Sequence, residues 1–153
     1  AQVAHIARDP LDPLFDDDVW RSQLKRKDTE IKRALLDQTL VSGIGNIYAD
    51  EALWQTKLHY LTPGARLKES KVRETLEALR QIMQRAIAAG GTSFDEQYVR
   101  VNGDSGWFEV ELNAYGQEGE PCARCGRQIV REAWSNRSSH RCPRCQPARN
   151  LGG

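Results

Sequence analysis

Apolar residues recur at helical spacing through the first part of the chain, and the breaks between them divide it into four stretches. Asp16, Asp17 and Asp18 precede Val19, Trp20 and Leu24, an acidic start that complements a helix dipole, and predict a helix to about Lys25. Asp28 or Thr29 is placed to cap a second helix, with Ile31, Ala34, Leu35 and Leu36 as its buried stripe and Lys32 and Arg33 off that stripe. The run from Asp37 to Asn46 carries Gly43 and Gly45 and is too long for a tight turn. Helical periodicity restarts with Ile47, Tyr48, Ala52 and Trp54 and reaches about Thr56. Beyond a loop at Pro63-Gly64, Ser70 is placed to cap the longest helix. Its apolar face is Val72, Leu76, Leu79, Ile82, Met83 and Ile87, and Gly90-Gly91 stops it.

From Thr92 to Glu120 the pattern is lost to Gly, Asn, Asp and scattered aromatics, which reads as a long polar connection with short extended pieces. Connections of that length are functional or plain linkers, and both readings stand. All four cysteines then fall in one stretch, Cys122-Ala-Arg-Cys125 and Cys142-Pro-Arg-Cys145, with sixteen residues between the pairs. The spacing suits two knuckles joined by a short β-hairpin and points to a four-thiolate zinc site. Four thiolates close a tetrahedral shell and leave no position for water, so the one Zn2+ expected here is structural. With Ile129, Val130 and Trp134 as its main apolar residues, this segment relies on metal binding to fold. A pair of disulfides is the alternative, but it goes with a secretion signal that the first twenty residues lack.

The fold expected is therefore mainly α, a helical domain over 1–91 followed by a small four-cysteine zinc β-hairpin finger over 120–147. Residues 92–119 connect them, and 148–153 form a disordered tail. With 39% hydrophobic and 28% charged residues and no long apolar run, the composition is that of a soluble protein without a membrane partner, expected to be a cytoplasmic monomer.

Net charge is only +1, but its distribution is uneven: −4 over residues 1–20, +4 over 21–33, −4 over 34–119 and +5 over 120–153. Two basic patches on one face would make a footprint for a polyanion. The glycines of Ser42-Gly43-Ile44-Gly45-Asn46 allow backbone N–H groups at the following helix start to converge on a phosphate. Lys32, Arg33 and Asn46, with the basic zinc module, complete what looks like a phosphodiester clamp. Such contacts position a duplex without reading its sequence, so recognition of shape or of a lesion is expected.

The run Lys32-Arg33-Ala34-Leu35-Leu36-Asp37-Gln38, followed by Val41-Ser42-Gly43-Ile44-Gly45-Asn46-Ile47-Tyr48-Ala49-Asp50-Glu51-Ala52-Leu53-Trp54, resembles the helix-two-turn-helix motif of formamidopyrimidine-DNA glycosylases. Gly90-Gly91-Thr92-Ser93-Phe94, Val101-Asn102-Gly103-Asp104-Ser105-Gly106 and Asn136-Arg137-Ser138-Ser139 are similar to the same family, and to its actinobacterial members in particular. The resemblance covers nearly the whole chain and corresponds to the C-terminal half of a family member. It implies the DNA-binding half of a bifunctional glycosylase and AP lyase of base excision repair, which excises 8-oxoguanine and formamidopyrimidines from damaged double-stranded DNA. The family's proline nucleophile and adjacent glutamate belong to an N-terminal catalytic half, the expected partner; Ala1-Gln2 is not Pro-Glu, so no residue here is assigned a catalytic role.

By the same resemblance, Lys32 and Asn46 contact phosphates beside the lesion, with Gly43 and Gly45 shaping the loop, Tyr48 supporting the contact or lying in the core, and Arg137 holding the phosphates from the other side. Residues from about Thr92 to Leu112 would cover the flipped base. The chain carries His140-Arg141 where family members usually have an aromatic pair before the third cysteine, and His140 is expected at the surface rather than on the metal. Localisation is expected to be the bacterial cytoplasm, at the nucleoid when bound. A stand-alone, noncatalytic damaged-DNA module and a zinc-stabilised protein-interaction module are the competing classes.

Overall fold

The computed structural model describes residues 7–90 and 112–148. Helix α1 (Asp17–Lys27) begins where the carboxylate of Asp16 accepts hydrogen bonds from the N–H groups of Asp18 and Val19. It ends at Asp28 in the left-handed region, so Asp28 closes α1 and does not open the next helix. Helix α2 (Ile31–Leu35) has no side-chain cap. Its first N–H groups are met instead by backbone, Ile31 N–H donating to Thr62 O (2.7 Å) and Lys32 N–H to Tyr60 O (3.2 Å).

Helix α3 (Asn46–Thr56) buries nine of its eleven residues, Asp50 and Glu51 among them. After a single 3₁₀ turn at Gly64–Arg66, helix α4 (Glu69–Gly90) packs along α3. Ser70 lies inside the first turn of α4 rather than at its cap, and Ile87 is 55% exposed, so the packed face runs through Met83, Ala86 and Ala89 and leaves Ile87 outside it. The helices enclose one core built on Trp20, Leu24, Ile31, Leu35, Ile47, Leu53, Leu76, Leu79 and Ile82. Among the described residues, no helix is long and apolar enough to cross a membrane.

Strands β1 (Val130–Trp134) and β2 (Arg137–Arg141) form one antiparallel hairpin, with Trp134 opposite Arg137. Ser135 (φ 48°) and Asn136 (φ 62°) are both left-handed, the pattern of a two-residue type I′ turn that matches the strand twist. The hairpin is docked on α3 and shares its burial. Trp54 of α3 joins Ala114, Cys122, Ile129 and Cys142 in a second apolar cluster, while Trp134 of β1 packs against the helical core. The expected covering role of residues 92–112 lies outside the described residues except at Leu112, and of the tail only position 148 is described.

Candidate nucleic-acid interface and zinc centre

The four cysteine sulfurs lie within 4.8 Å of one another, with Cys122 and Cys142 buried and Cys125 and Cys145 half-buried. Sulfurs bound to one zinc at about 2.3 Å stand roughly 3.8 Å apart, and the Cys122–Cys145 separation is 3.9 Å. The set therefore fits one structural zinc. Further donors aim at the sulfurs: Arg127 N–H at Cys125 (3.5 Å), Cys145 N–H at Cys142 (3.4 Å) and the Trp54 indole Nε1–H at Cys122 (3.4 Å). Burial pushes the thiols of Cys122 and Cys142 up, Cys142 to about 12, while at Cys122 the N–H donors of Arg124, Cys125 and Trp54 outweigh burial and bring the thiol down to about 6. Arg124 stacks on the other side of this assembly, 3.6 Å above the Trp54 ring.

Where the hairpin meets α3, Lys32 is 0% exposed, not off the buried stripe as the periodicity suggests. A five-residue helix covered on one side by α3 and on another by β2 has little open face. Its ammonium donates to Asp50 Oδ1 (2.7 Å), Ser139 Oγ (2.8 Å) and Ser138 O (3.1 Å). An ammonium has three hydrogens, and these three acceptors take them all, leaving none for a phosphate. Burial pushes the Lys32 pKa below its usual value, against the raising effect of Asp50. His140, expected at the surface, is 5% exposed; Asp50 Oδ2 accepts from its backbone N–H (3.0 Å) and lies 2.9 Å from its Nδ1. Since the carboxylate is the acceptor, Nδ1 carries the hydrogen.

Asn46, the first residue of α3, donates through Nδ2 to Ser138 O (3.0 Å). One carbonyl thus holds Lys32 and Asn46 together, next in the chain to Arg137. Asn46, Gly45, Arg137, Arg131, Glu118 and His140 line an open, polar cleft of about 810 Å³ between the N-terminus of α3 and the hairpin. Gly45 caps α3 without a side-chain hydrogen bond, so the helix start faces the cleft with its dipole uncompensated. The guanidinium of Arg137 has no ion-pair partner among the described residues, and Arg137 is exposed. The side chain of Asn46 keeps a second N–H hydrogen, while its Oδ1 is buried without a partner.

Gly43 and Tyr48 lie off the cleft, in the loop and in the core. Gly43 supplies a left-handed turn (φ 82°), and its N–H donates to Gln38 Oε1 (3.3 Å), so Gly43 shapes the loop while Gly45 borders the cleft. Tyr48 is 4% exposed within the helical core.

Sequence reasoning missed Asp50, Glu51 and Trp54. Buried Glu51 accepts hydrogen bonds from three successive backbone N–H groups, Asn113 (2.7 Å), Ala114 (2.8 Å) and Tyr115 (2.8 Å), and fixes the segment that leads into the zinc module. Its burial raises its pKa, against the lowering effect of those donors. The signal available was an acidic pair inside the otherwise apolar run Tyr48-Ala49-Asp50-Glu51-Ala52-Leu53.

Residues 6–97 match the profile described as the formamidopyrimidine-DNA glycosylase H2TH domain, and residues 119–148 that of the zinc finger found in FPG and IleRS. The chain is 61% identical over 145 residues to a formamidopyrimidine-DNA glycosylase of Thermobifida fusca, covering 95% of this chain and 49% of the relative. To that of Mycolicibacterium smegmatis it is 60% identical over 145 residues, covering 95% of this chain and 51% of the relative. It spans about half the length of the curated relatives it matches. A Lactococcus lactis Fpg bound to DNA containing FAPY-dG superimposes with TM-score 0.80 at 37% identity, over 93% of this chain and 51% of that one. A complex of the same species' Fpg with abasic-site DNA gives TM-score 0.79 at 36% identity, over 93% and 52%. The profile over 6–97 spans more than half of the chain, and the chain belongs to the formamidopyrimidine-DNA glycosylase family, whose H2TH domain and zinc finger it carries.

Proposed function

We propose that this chain grips the backbone of damaged double-stranded DNA for a bifunctional glycosylase and AP lyase that excises oxidised purines, the chemistry being supplied by an N-terminal half of the same enzyme. The observation that carries the reading is the cleft in which Asn46, the uncapped start of α3 and the exposed guanidinium of Arg137 converge. A neutral amide, a helix N-terminus and a guanidinium together suit a phosphodiester. Lys32 serves the site from behind, holding the Ser138 carbonyl that orients Asn46 and adjoins Arg137. The related Lactococcus lactis proteins whose structures superimpose on it were solved with DNA carrying FAPY-dG or an abasic site, which supports damaged DNA as the ligand. The enzyme acts as a monomer in the bacterial cytoplasm, at the nucleoid when bound.

The test is binding of the zinc-loaded chain to a duplex with a stable abasic-site analogue and to an undamaged duplex over a range of salt, with borohydride trapping alongside. Salt-dependent binding that favours the abasic analogue and leaves no trapped adduct is expected. Binding that ignores salt would overturn the phosphate grip, and a trapped adduct would put a catalytic amine in this chain.

A further inference from the structure

Two charged side chains of the cleft, Arg131 and Glu118, stand outside the phosphate grip of Asn46 and Arg137, and a role for them there rests on the DNA-binding reading. Arg131 lies on the exposed face of β1, opposite His140. Its Nε donates to Ser138 Oγ (2.8 Å), the residue whose carbonyl orients Asn46, so the guanidinium extends across the hairpin toward Asn46 and Arg137. Its Nη1 pairs with Glu118 Oε2 at 3.4 Å, while Glu118 Oε1 stands 3.8 Å from His140 Nε2. Arg131 and Glu118 are 58% and 40% exposed, open to an incoming ligand. Glu118 is not on a free tail: Glu51 anchors residues 113–115 just before it, and Glu120 N–H bonds Gln117 O (2.9 Å) just after. The fold thus holds a carboxylate at the wall of a cleft otherwise built for an anion.

We propose that Arg131 is a further phosphate-binding guanidinium of this cleft and that Glu118 is the counter-charge DNA must displace to reach it. A small anion competes with a tethered carboxylate for one guanidinium and meets its repulsion. A duplex already engaged at Asn46 and Arg137 brings other contacts that outweigh the lost pair. Glu118 therefore weakens binding of every polyanion and lets only an extended backbone occupy the whole cleft.

The experiment measures binding of undamaged and abasic-analogue duplexes over a salt range by the zinc-loaded wild-type chain, Arg131→Ala, Glu118→Gln and Arg137→Ala, each with its unfolding midpoint. Arg131→Ala is expected to weaken both duplexes roughly 3- to 10-fold and to lower the salt slope by about one unit. Glu118→Gln is expected to tighten both by roughly 3- to 10-fold, an effect opposite in sign to the loss of a structural support. If Arg137→Ala lowers the slope while Arg131→Ala changes nothing, or Glu118→Gln weakens binding, this inference falls and the DNA-binding reading stands. If all three variants leave affinity and slope unchanged, the DNA-binding reading falls with it.

Discussion

The ammonium of Lys32 lies 2.7 Å from Oδ1 of Asp50, and the two side chains are 0% and 1% exposed. Asp50 also receives His140 of the hairpin, so one carboxylate ties α2, α3 and β2. Removing one partner of such a pair leaves the other charged and buried, a loss of about 3–5 kcal/mol. Lys32→Met should therefore lower unfolding stability on that scale, measured by denaturant titration. Its salt slope for DNA, taken on the folded fraction, should match wild type, because the ammonium spends its hydrogens inside the protein. A slope lowered by a full unit would mean that Lys32 itself touches a phosphate.

Zinc removal reaches beyond the finger. The hairpin covers Trp54 and the Lys32–Asp50 pair, so a Cys142→Ser variant exposes parts of α2 and α3 as it loses metal. Helical circular dichroism should survive, since the core around Trp20, Leu79 and Ile82 is separate, but with a clearly lower melting temperature. An unchanged melting temperature would show that the hairpin lends the helices nothing.

The indole of Trp54 donates to Cys122 at 3.4 Å. Trp54→Phe keeps most of the ring packing and deletes that donor. Loss of a group that supports a metal ligand costs on the order of 10-fold in metal affinity, so zinc should pass to a competing chelator about that much more readily, and the thiolate charge-transfer band of the cobalt-substituted protein should shift. Equal chelator curves would remove Trp54 from the zinc site.

His59 sets an acid limit. Burial, helped by Arg141, lowers its pKa to about 4, and in the neutral ring Nδ1 accepts from Leu61 N–H (3.0 Å). Between its usual value of 6.5 and about 4 the unfolded chain takes up a proton that the folded one refuses. Its contribution is thus fully present above pH 6.5 and is lost as pH falls toward 4, by about 1–3 kcal/mol. His59→Asn, which keeps an acceptor and cannot titrate, should flatten stability between pH 6.5 and 5; an unaltered slope there would contradict this.

Helices α1 and α4 were legible because each buries one apolar face and leaves the other to solvent, and the zinc site because two C-x2-C pairs declare themselves without tertiary context. Lys32 was not, because α2 is covered from two sides by elements far away in sequence, and periodicity within five residues cannot show that. Asp28 misled for a related reason: a residue suited to capping the next helix also tolerates the left-handed conformation that ends the previous one. His140 reads as an exposed polar residue in a small finger until α3 supplies Asp50. Asn46 and Arg137 line one cleft, since a glycine-capped helix start and a tight hairpin turn both fix direction locally.

Arg137 tests most directly whether the chain holds DNA by phosphates in the cleft between α3 and the hairpin. Exposed and without an ion pair among the described residues, it can be changed to Ala with little effect on folding, within about 0.5 kcal/mol. The measurement is the slope of log affinity against log salt for the zinc-loaded wild-type chain and Arg137→Ala on the same duplex. The predicted result is weaker binding with a slope lower by about one unit, as one released counterion requires. Superimposable lines would contradict the phosphate grip, because a phosphate contact cannot be removed without changing how many counterions are released.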